Sequence, residues 1–316
     1  METVLITGGA GFIGSHLTQR VLEGGQQVLC LDNFNDYYDP NIKRRNVETF
    51  LGNRNYTLVE GDILDLNLLR EIFHKHQIAV VVHLAARAGV RPSLRQPLLY
   101  QQVNVEGTTN LLEVSRESGV EKFIFGSSSS VYGENKKVPF SESDPVDHPI
   151  SPYAATKKAC ELICYTYHHL YDLPVTCLRF FTVYGPRQRP DMAIYKFTKS
   201  ISAGEPITMY GDGKSQRDYT YVSDIVDGIL NAIEHCHGYE IYNLGESKTI
   251  ELRRLIDLIS ECVGKPAEIQ TLPQQPGDVS ITYADISKAR REIGYAPQVG
   301  IEEGIERFVR WYADNR

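Results

Sequence analysis

The sequence predicts a doubly wound α/β fold, a parallel sheet with helices on both faces, joined to a smaller α/β region. Three observations predict it. Short apolar runs alternate with amphipathic stretches through the first half of the chain, the first run leads into a glycine-rich turn, and the pattern changes after Gly185-Pro186, where glycines and prolines thicken and helices shorten. Repeated βα alternation builds a parallel sheet, because each helical crossover returns the chain in the same direction.

The elements follow in order. Val4-Leu5-Ile6 reads as the first strand, and Leu17, Val21 and Leu22 mark the amphipathic segment after it. Between them lies Thr7-Gly-Gly-Ala-Gly-Phe-Ile-Gly-Ser-His16, so Gly8, Gly9, Gly11, Phe12, Ile13 and Gly14 occupy a strand-turn-helix junction. That context makes a glycine motif a dinucleotide site. Gly9 and Gly11 permit the tight turn and a close approach to pyrophosphate, Gly14 lets the helix pack on the strand, and the helix N-terminus faces the phosphate charge. The second strand, Val28-Leu29-Cys30-Leu31, ends in Asp32, followed by Asn33. A carboxylate there, about 20 residues on, accepts from both ribose hydroxyls. No arginine follows Asp32 directly to hold a 2′-phosphate, so the expected cofactor is NAD rather than NADP.

Further strands are expected at Tyr56–Val59, Ala79–Leu84, Lys122–Phe125 and Val175–Arg179, with helices over 65–76, 97–118 and 152–171. The predicted division is a dinucleotide-binding domain over 1–180, with a returning segment near 219–245, and a substrate-binding region over 181–316. Pro206–Gly211 and Ala267–Leu272 belong to the smaller region. A ligand is expected in the cleft between the two.

Composition narrows the class. With 316 residues, 42% hydrophobic and 23% charged, the chain can bury a full core. A net charge of -7 offers no electrostatic reason to expect nucleic acid. No apolar run is long enough to span a bilayer, so no membrane partner and a cytoplasmic location are expected. The six cysteines are scattered and read as reduced, mostly buried thiols. Cys160, Cys164 and His168 share a helical stripe, but core packing between Tyr153, Lys157 and Leu173 accounts for it and no metal is expected.

Chemistry enters at Tyr153-Ala-Ala-Thr-Lys157, where a spacing of four puts phenol and ammonium on one helix face. A neighbouring cation favours the phenolate, drawing the tyrosine down from its reference of about 10 and fitting it for general-base work on a hydroxyl. Upstream, Phe125-Gly-Ser-Ser-Ser-Ser-Val-Tyr132 places hydroxyls where the fifth strand ends. One of them can share the same oxygen and relay its proton.

These motifs together resemble the NAD-dependent sugar-nucleotide epimerase/dehydratase family of extended short-chain dehydrogenases/reductases, nearly end to end. The marks are Thr7–Gly14, Asp62-Ile63, His83-Leu-Ala-Ala86, Asn104-Val-Glu-Gly-Thr108, the serine run before Val131-Tyr-Gly133, Tyr153 with Lys157, and Arg217-Asp-Tyr219. The resemblance implies a Rossmann sheet, adenine contacts from Asp62 and Ile63, a cofactor lining from Leu84, Ala85 and Ala86, and a Lys157 bond to the nicotinamide ribose. It nominates Ser128 as the catalytic serine, with Ser129 and Ser130 as rivals. The UDP end of a UDP-sugar substrate is expected on Arg217, Tyr219 and Asp278, and a homodimer through the helices near 97–118 and 152–171.

Within the family, 4,6-dehydratases carry an Asp-Glu pair before Val-Tyr-Gly and decarboxylating relatives a Glu, where this chain has Ser129-Ser130. Without that acid and base, oxidation at C4 and re-reduction remain, which is epimerisation. The Ala-Gly-Val-Arg91 segment, Thr182 in Phe180–Pro186, and Arg189 resemble the branch acting on UDP-glucuronate. Physically, a C5 carboxylate needs a fork of donors, for which Arg189 is the first candidate and Arg87 and Arg91 the next. Arg87 and Pro92 stand where the family has a neutral residue and commonly an aromatic. The expected reaction is UDP-glucuronate to UDP-galacturonate. The alternatives are a UDP-glucose or UDP-N-acetylhexosamine 4-epimerase, a UDP-glucuronate decarboxylase, and a non-catalytic NAD sensor.

Overall fold

The computed structural model describes residues 2–273 and 279–315. The chain opens with β1 (Thr3–Thr7), α1 (Phe12–Glu23), β2 (Gln27–Asp32), α2 (Pro40–Glu48), β3 (Tyr56–Glu60), α3 (Leu66–Lys75) and β4 (Ile78–His83). Then come α4 (Val90–Arg95), α5 (Pro97–Tyr100), a π-helical turn at Gln101–Glu106, α6 (Gly107–Glu117), β5 (Lys122–Ser128), α7 (Pro152–Tyr171) and β6 (Val175–Phe180). The later elements are β7 (Thr182–Tyr184), α8 (Ala193–Ala203), β8 (Ile207–Tyr210), β9 (Gln216–Arg217), β10 (Tyr219–Tyr221), α9 (Val222–Glu234) and β11 (Tyr239–Leu244). Then β12 (Ile250–Glu251), α10 (Leu252–Val263), β13 (Ile269–Leu272), α11 (Ser287–Ile293) and α12 (Ile301–Asp314) complete it.

Seven strands form one sheet in the order β11-β6-β5-β4-β1-β2-β3, every neighbouring pair parallel. The order reverses beside β1, because β1 pairs with β2 on one side and β4 on the other. An open parallel sheet forms its ligand crevice at such a switch point, beyond the carboxyl ends of the strands. Every β1 residue is buried, as a strand covered on both faces requires. Two apolar clusters flank the sheet. One joins Val4, Ile6, Leu17 and Val28 to the later region through Val183, Ile225 and Phe308; the other packs Leu5, Leu29, Leu69, Leu111 and Cys164 on the opposite face.

The six predicted strands and the helices over 65–76 and 152–171 agree with the observed elements to within a few residues. The stretch 97–118 differs, since a π turn separates α5 from α6. The seventh strand, β11, lies within 219–245 and pairs with β6 at the sheet edge. Pro206–Gly211 and Ala267–Leu272 hold β8 and β13, which pair in parallel and form a separate two-stranded sheet.

Candidate active site

A cleft of about 1070 Å³ runs along the carboxyl ends of the strands. Its first part is the glycine turn. Gly8 has φ +68°, and a Cβ there would stand 2.8 Å from the Ala85 nitrogen, so only glycine lets β4's exit lie against the turn. A Cβ on Gly14 would stand 2.3 Å from the Gly8 carbonyl, which is the close helix-turn packing expected. Gly11 caps α1 without a side-chain hydrogen bond, and Phe12, Ile13 and Gly14 line the cleft with the first turn's amides. Gly9 does something else. It does not line the cleft; a Cβ there would meet Cys30 Sγ at 2.5 Å, so its smallness serves the sheet beneath the turn.

Asp32 is buried at the end of β2, where the Ala10 and Phe34 amides donate to it at 3.2 and 2.9 Å and Lys43 Nζ stands 3.9 Å away. Burial raises its pKa against the opposing pull of Lys43 and those amides. Asn33 donates to Asp62 at 2.7 Å, and Asn110 donates to the Ile63 carbonyl, so the wall beyond Asp32 is one bonded unit. Gly107 leaves room for the Ile63 side chain, which would stand 2.5 Å from a Cβ. Leu84, Ala85 and Ala86 line the same cleft. A turn that admits no Cβ, an uncapped helix start and a carboxylate one strand away fit a dinucleotide.

The second part is the amino end of α7. Pro152 occupies its first turn and the Ser151 hydroxyl accepts from the Ala154 amide, which starts the helix just before Tyr153. Tyr153 and Lys157 both line the cleft. Tyr153 meets Tyr100 edge-on, and Lys157 Nζ donates to the Gly126 carbonyl at 2.6 Å. Across from them, the serines separate by role. Ser127 donates to Glu161 at 2.7 Å and is committed to the interior. Ser128, Ser129 and Ser130 line the cleft, and Ser128 Oγ accepts from the Ser130 amide and hydroxyl at 3.2 and 2.9 Å.

The third part holds the remaining candidates. Thr182 pairs with Tyr219 across β7 and β10, and both line the cleft. Arg217 donates to the Gln216 and Val279 carbonyls at 2.8 and 2.6 Å. Arg91 lies 4.7 Å from the Tyr210 ring. Arg189 is already engaged: Nε and Nη2 donate to Asp191 at 3.0 and 3.1 Å, and the Tyr37 hydroxyl donates to the same carboxylate at 3.3 Å. Asp278 lies outside the described residues.

Several supporting groups were given no role by the motif reading. Asn104, in the π turn, accepts from the Arg87 amide at 2.7 Å and donates to the Arg87 carbonyl and to Thr156 Oγ1 at 3.1 and 3.0 Å. It ties the loop after β4 to the helix that carries Tyr153. His83 bridges Thr7 and Thr108 at 2.7 and 2.9 Å, and burial, with Lys157's charge, lowers its pKa to about 3, so the imidazole is neutral. Beneath the serines, Arg179 donates twice to Glu161 at 2.9 Å, a fully buried pair. Asn104 lies within a quoted motif; Asp191 and Tyr37 had no signal, because their meeting with Arg189 is tertiary. Among the described residues no group of three or more metal-ligating side chains converges; His168 Nδ1 instead bonds the Leu173 carbonyl.

Comparison with known proteins agrees with this geometry. The family model described as GDP-mannose 4,6 dehydratase matches residues 5–308. A UDP-glucuronate 4-epimerase of Thermodesulfobacterium geofontis is 44% identical over 316 residues, covering 100% of this chain and 97% of that one. The crystal structure of UDP-glucuronic acid 4-epimerase from Bacillus cereus, in complex with UDP-glucuronic acid and NAD, superposes with a TM-score of 0.94 at 36% identity, covering 99% of this chain and 100% of that chain. A UDP-glucose 4-epimerase of Thermotoga maritima, solved with UDP-glucose, gives 0.92 at the same 36% identity, covering 99% of both. The chain belongs to the GDP-mannose 4,6 dehydratase family, among the NAD-dependent epimerases and dehydratases of the extended short-chain dehydrogenase/reductase type.

Proposed function

We propose that this protein is an NAD-dependent 4-epimerase interconverting UDP-glucuronate and UDP-galacturonate. The observation that carries the reading is the end of β5, where Ser128, Ser129 and Ser130 present hydroxyls, and no carboxyl, to the cleft holding Tyr153. Bound NAD⁺ accepts a hydride from C4 of the sugar and returns it. Tyr153 takes the proton of the 4-hydroxyl, with Ser128 bridging, and Lys157 steadies the phenolate and the nicotinamide ribose. After the 4-keto sugar turns its other face, Tyr153 gives the proton back and C4 is inverted.

Asp32 and Asn33 hold the adenosine ribose side, Asp62 and Ile63 the adenine, Leu84, Ala85 and Ala86 the wall, and the Gly8–Gly14 turn the pyrophosphate. Arg217, Tyr219 and Asp278 receive UDP. Ser129, Ser130, Thr182, Arg91 and Arg189 orient the carboxylate. A 4-keto-glucuronate is a β-keto acid, and holding its carboxylate so that the breaking bond is poorly aligned with the carbonyl π-system suppresses loss of CO₂. The division into 1–180, with return at 219–245, and 181–316 is part of the same proposal.

The engagement of Arg189 by Asp191 favours a second reading, a neutral UDP-hexose substrate, because Nε and Nη2 are already occupied. Anaerobic incubation with UDP-glucuronate, followed by NMR, decides between them. UDP-galacturonate without CO₂ or net NADH supports the first reading; inertness there with turnover of UDP-glucose or UDP-N-acetylglucosamine overturns it.

We assign a homodimer and a cytoplasmic setting to the same enzyme. Leu98 on α5 and Leu162 and Leu170 on α7 are 83%, 55% and 64% exposed, apolar side chains that a second copy of the same helices would cover. Among the described residues no helix is long and apolar enough to cross a membrane, and the six cysteines are unpaired thiols. Sedimentation velocity tests the dimer; Leu98→Glu with Leu162→Glu is expected to yield monomer.

A further inference from the structure

The arginines of the cleft are in unequal states. Arg189 is chelated by Asp191, whose carboxylate also accepts from Tyr37, so that acid already serves two partners. Arg87 lies 6.0 Å from the centre of the Tyr37 ring, the ring that Arg189 approaches at 5.4 Å. Among the described residues, the Arg87 guanidinium makes no hydrogen bond or ion pair, although it lines the cleft and is partly buried. Lys43 adds a third cation within electrostatic reach of Arg87, and its own acid is Asp32. Two guanidiniums therefore approach one ring, and among the described residues the Asp191 carboxylate bonds Arg189 and not Arg87.

A guanidinium offers five donors and no acceptor, and leaving it half-desolvated without an anion is costly. Its anchor is nonetheless rigid, because Asn104 bonds both the amide and the carbonyl of Arg87. The side chain springs from a fixed peptide into the cleft, beside the Tyr37 ring.

We propose that Arg87 receives an oxyanion of a bound ligand. Two sources carry that chemistry. One is the C5 carboxylate of the sugar, a source that rests on the 4-epimerase reading; the other is the pyrophosphate of the dinucleotide. A planar fork matches either bidentately.

The test compares the full-length protein with Arg87→Met and Arg87→Lys. Titration calorimetry gives the Kd of UDP-glucuronate and of UDP, which has the same nucleotide and pyrophosphate without the carboxylate. Dialysis followed by titration gives NAD content and Kd. Removing a charge-assisted fork weakens binding by roughly 10- to 100-fold. If Arg87→Met loses that much UDP-glucuronate affinity while UDP and NAD hold, the anion is the carboxylate. If the loss falls on NAD, with the ratio of UDP-glucuronate to UDP constant, it is the pyrophosphate. All affinities within about twofold would overturn the assignment.

Arg87→Lys keeps charge without the fork and recovers part of the loss. It also carries the comparison if Arg87→Met proves unstable, an outcome the melting temperature reports. Failure of the unaltered protein to epimerise UDP-glucuronate sinks the functional reading alone, since the NAD arm still decides Arg87.

Discussion

Gly9→Ala separates two explanations of one glycine. If Gly9 exists for the approach of a ligand, a methyl there blocks NAD and leaves the apoprotein intact. The structure puts the methyl elsewhere, 2.5 Å from Cys30 Sγ, 3.3 Å from Cys30 Cβ and 3.1 Å from the Ile6 carbonyl. Ordinary contact is about 3.5–4.0 Å, so the sulfur is about 1 Å too near, and Cys30, buried in β2, cannot swing clear. Overpacking of that size costs about 2 kcal/mol. Cys30→Ala alone, which removes a buried sulfur, costs about 1 kcal/mol. Combined, the new methyl takes the space the sulfur left, so the double variant falls short of additivity by about 1 kcal/mol, the rest remaining with Ile6. At about 2 °C per kcal/mol for a chain of this length, Gly9→Ala lowers Tm by about 4 °C and the pair by less than the sum. Thermal melts of the four apoproteins, with NAD titrations beside them, are the assay. Strict additivity, or lost NAD binding at unchanged Tm, would refute the reasoning.

Other expectations follow from the same geometry. Tyr153→Phe is expected to cut kcat by about 100-fold or more while UDP-glucuronate still binds, since only the proton acceptor is removed; near-normal kcat sinks the assignment. Asn104→Ala strips the partners from the Arg87 amide and carbonyl and from Thr156, at about 1–3 kcal/mol for each buried group left unpaired. Because it positions α7 against the cofactor wall, kcat is expected to fall more than KM rises, and a pure KM effect counts against that role. For Glu161, burial pushes the carboxyl up, but the hydrogen bonds and charge of Arg179 and the Ser127 hydroxyl outweigh it and hold it below its ordinary 4.5. Its folded pKa is depressed, so its stabilisation is complete above pH 4.5 and is lost as pH falls through the folded value. Glu161→Gln, which strands a buried guanidinium, is expected to cost about 3–5 kcal/mol near neutrality and to flatten the loss of Tm below pH 4.5. An unaltered acid limb in that variant rules the pair out as its cause.

What was legible in the sequence was local. Strand, glycine turn and helix lie within Thr3–Glu23, Asp32 is fixed by the end of β2, and Tyr153 and Lys157 share a helix face because an α-helix repeats every 3.6 residues. Short-range periodicity also located six of the seven sheet strands, since buried parallel strands read as apolar runs. Pairings between distant segments were beyond reach. The sequence named Arg189 as a fork for a carboxylate, but Tyr37, 154 residues from Asp191, comes to the acid that occupies it. Nothing near Gly9 told that Cys30 lies beneath it, or near Arg87 that Asn104 clamps its peptide. Residue type and spacing determine which chemistry a side chain can do; only packing decides which of its hydrogen bonds and charges the protein has already used.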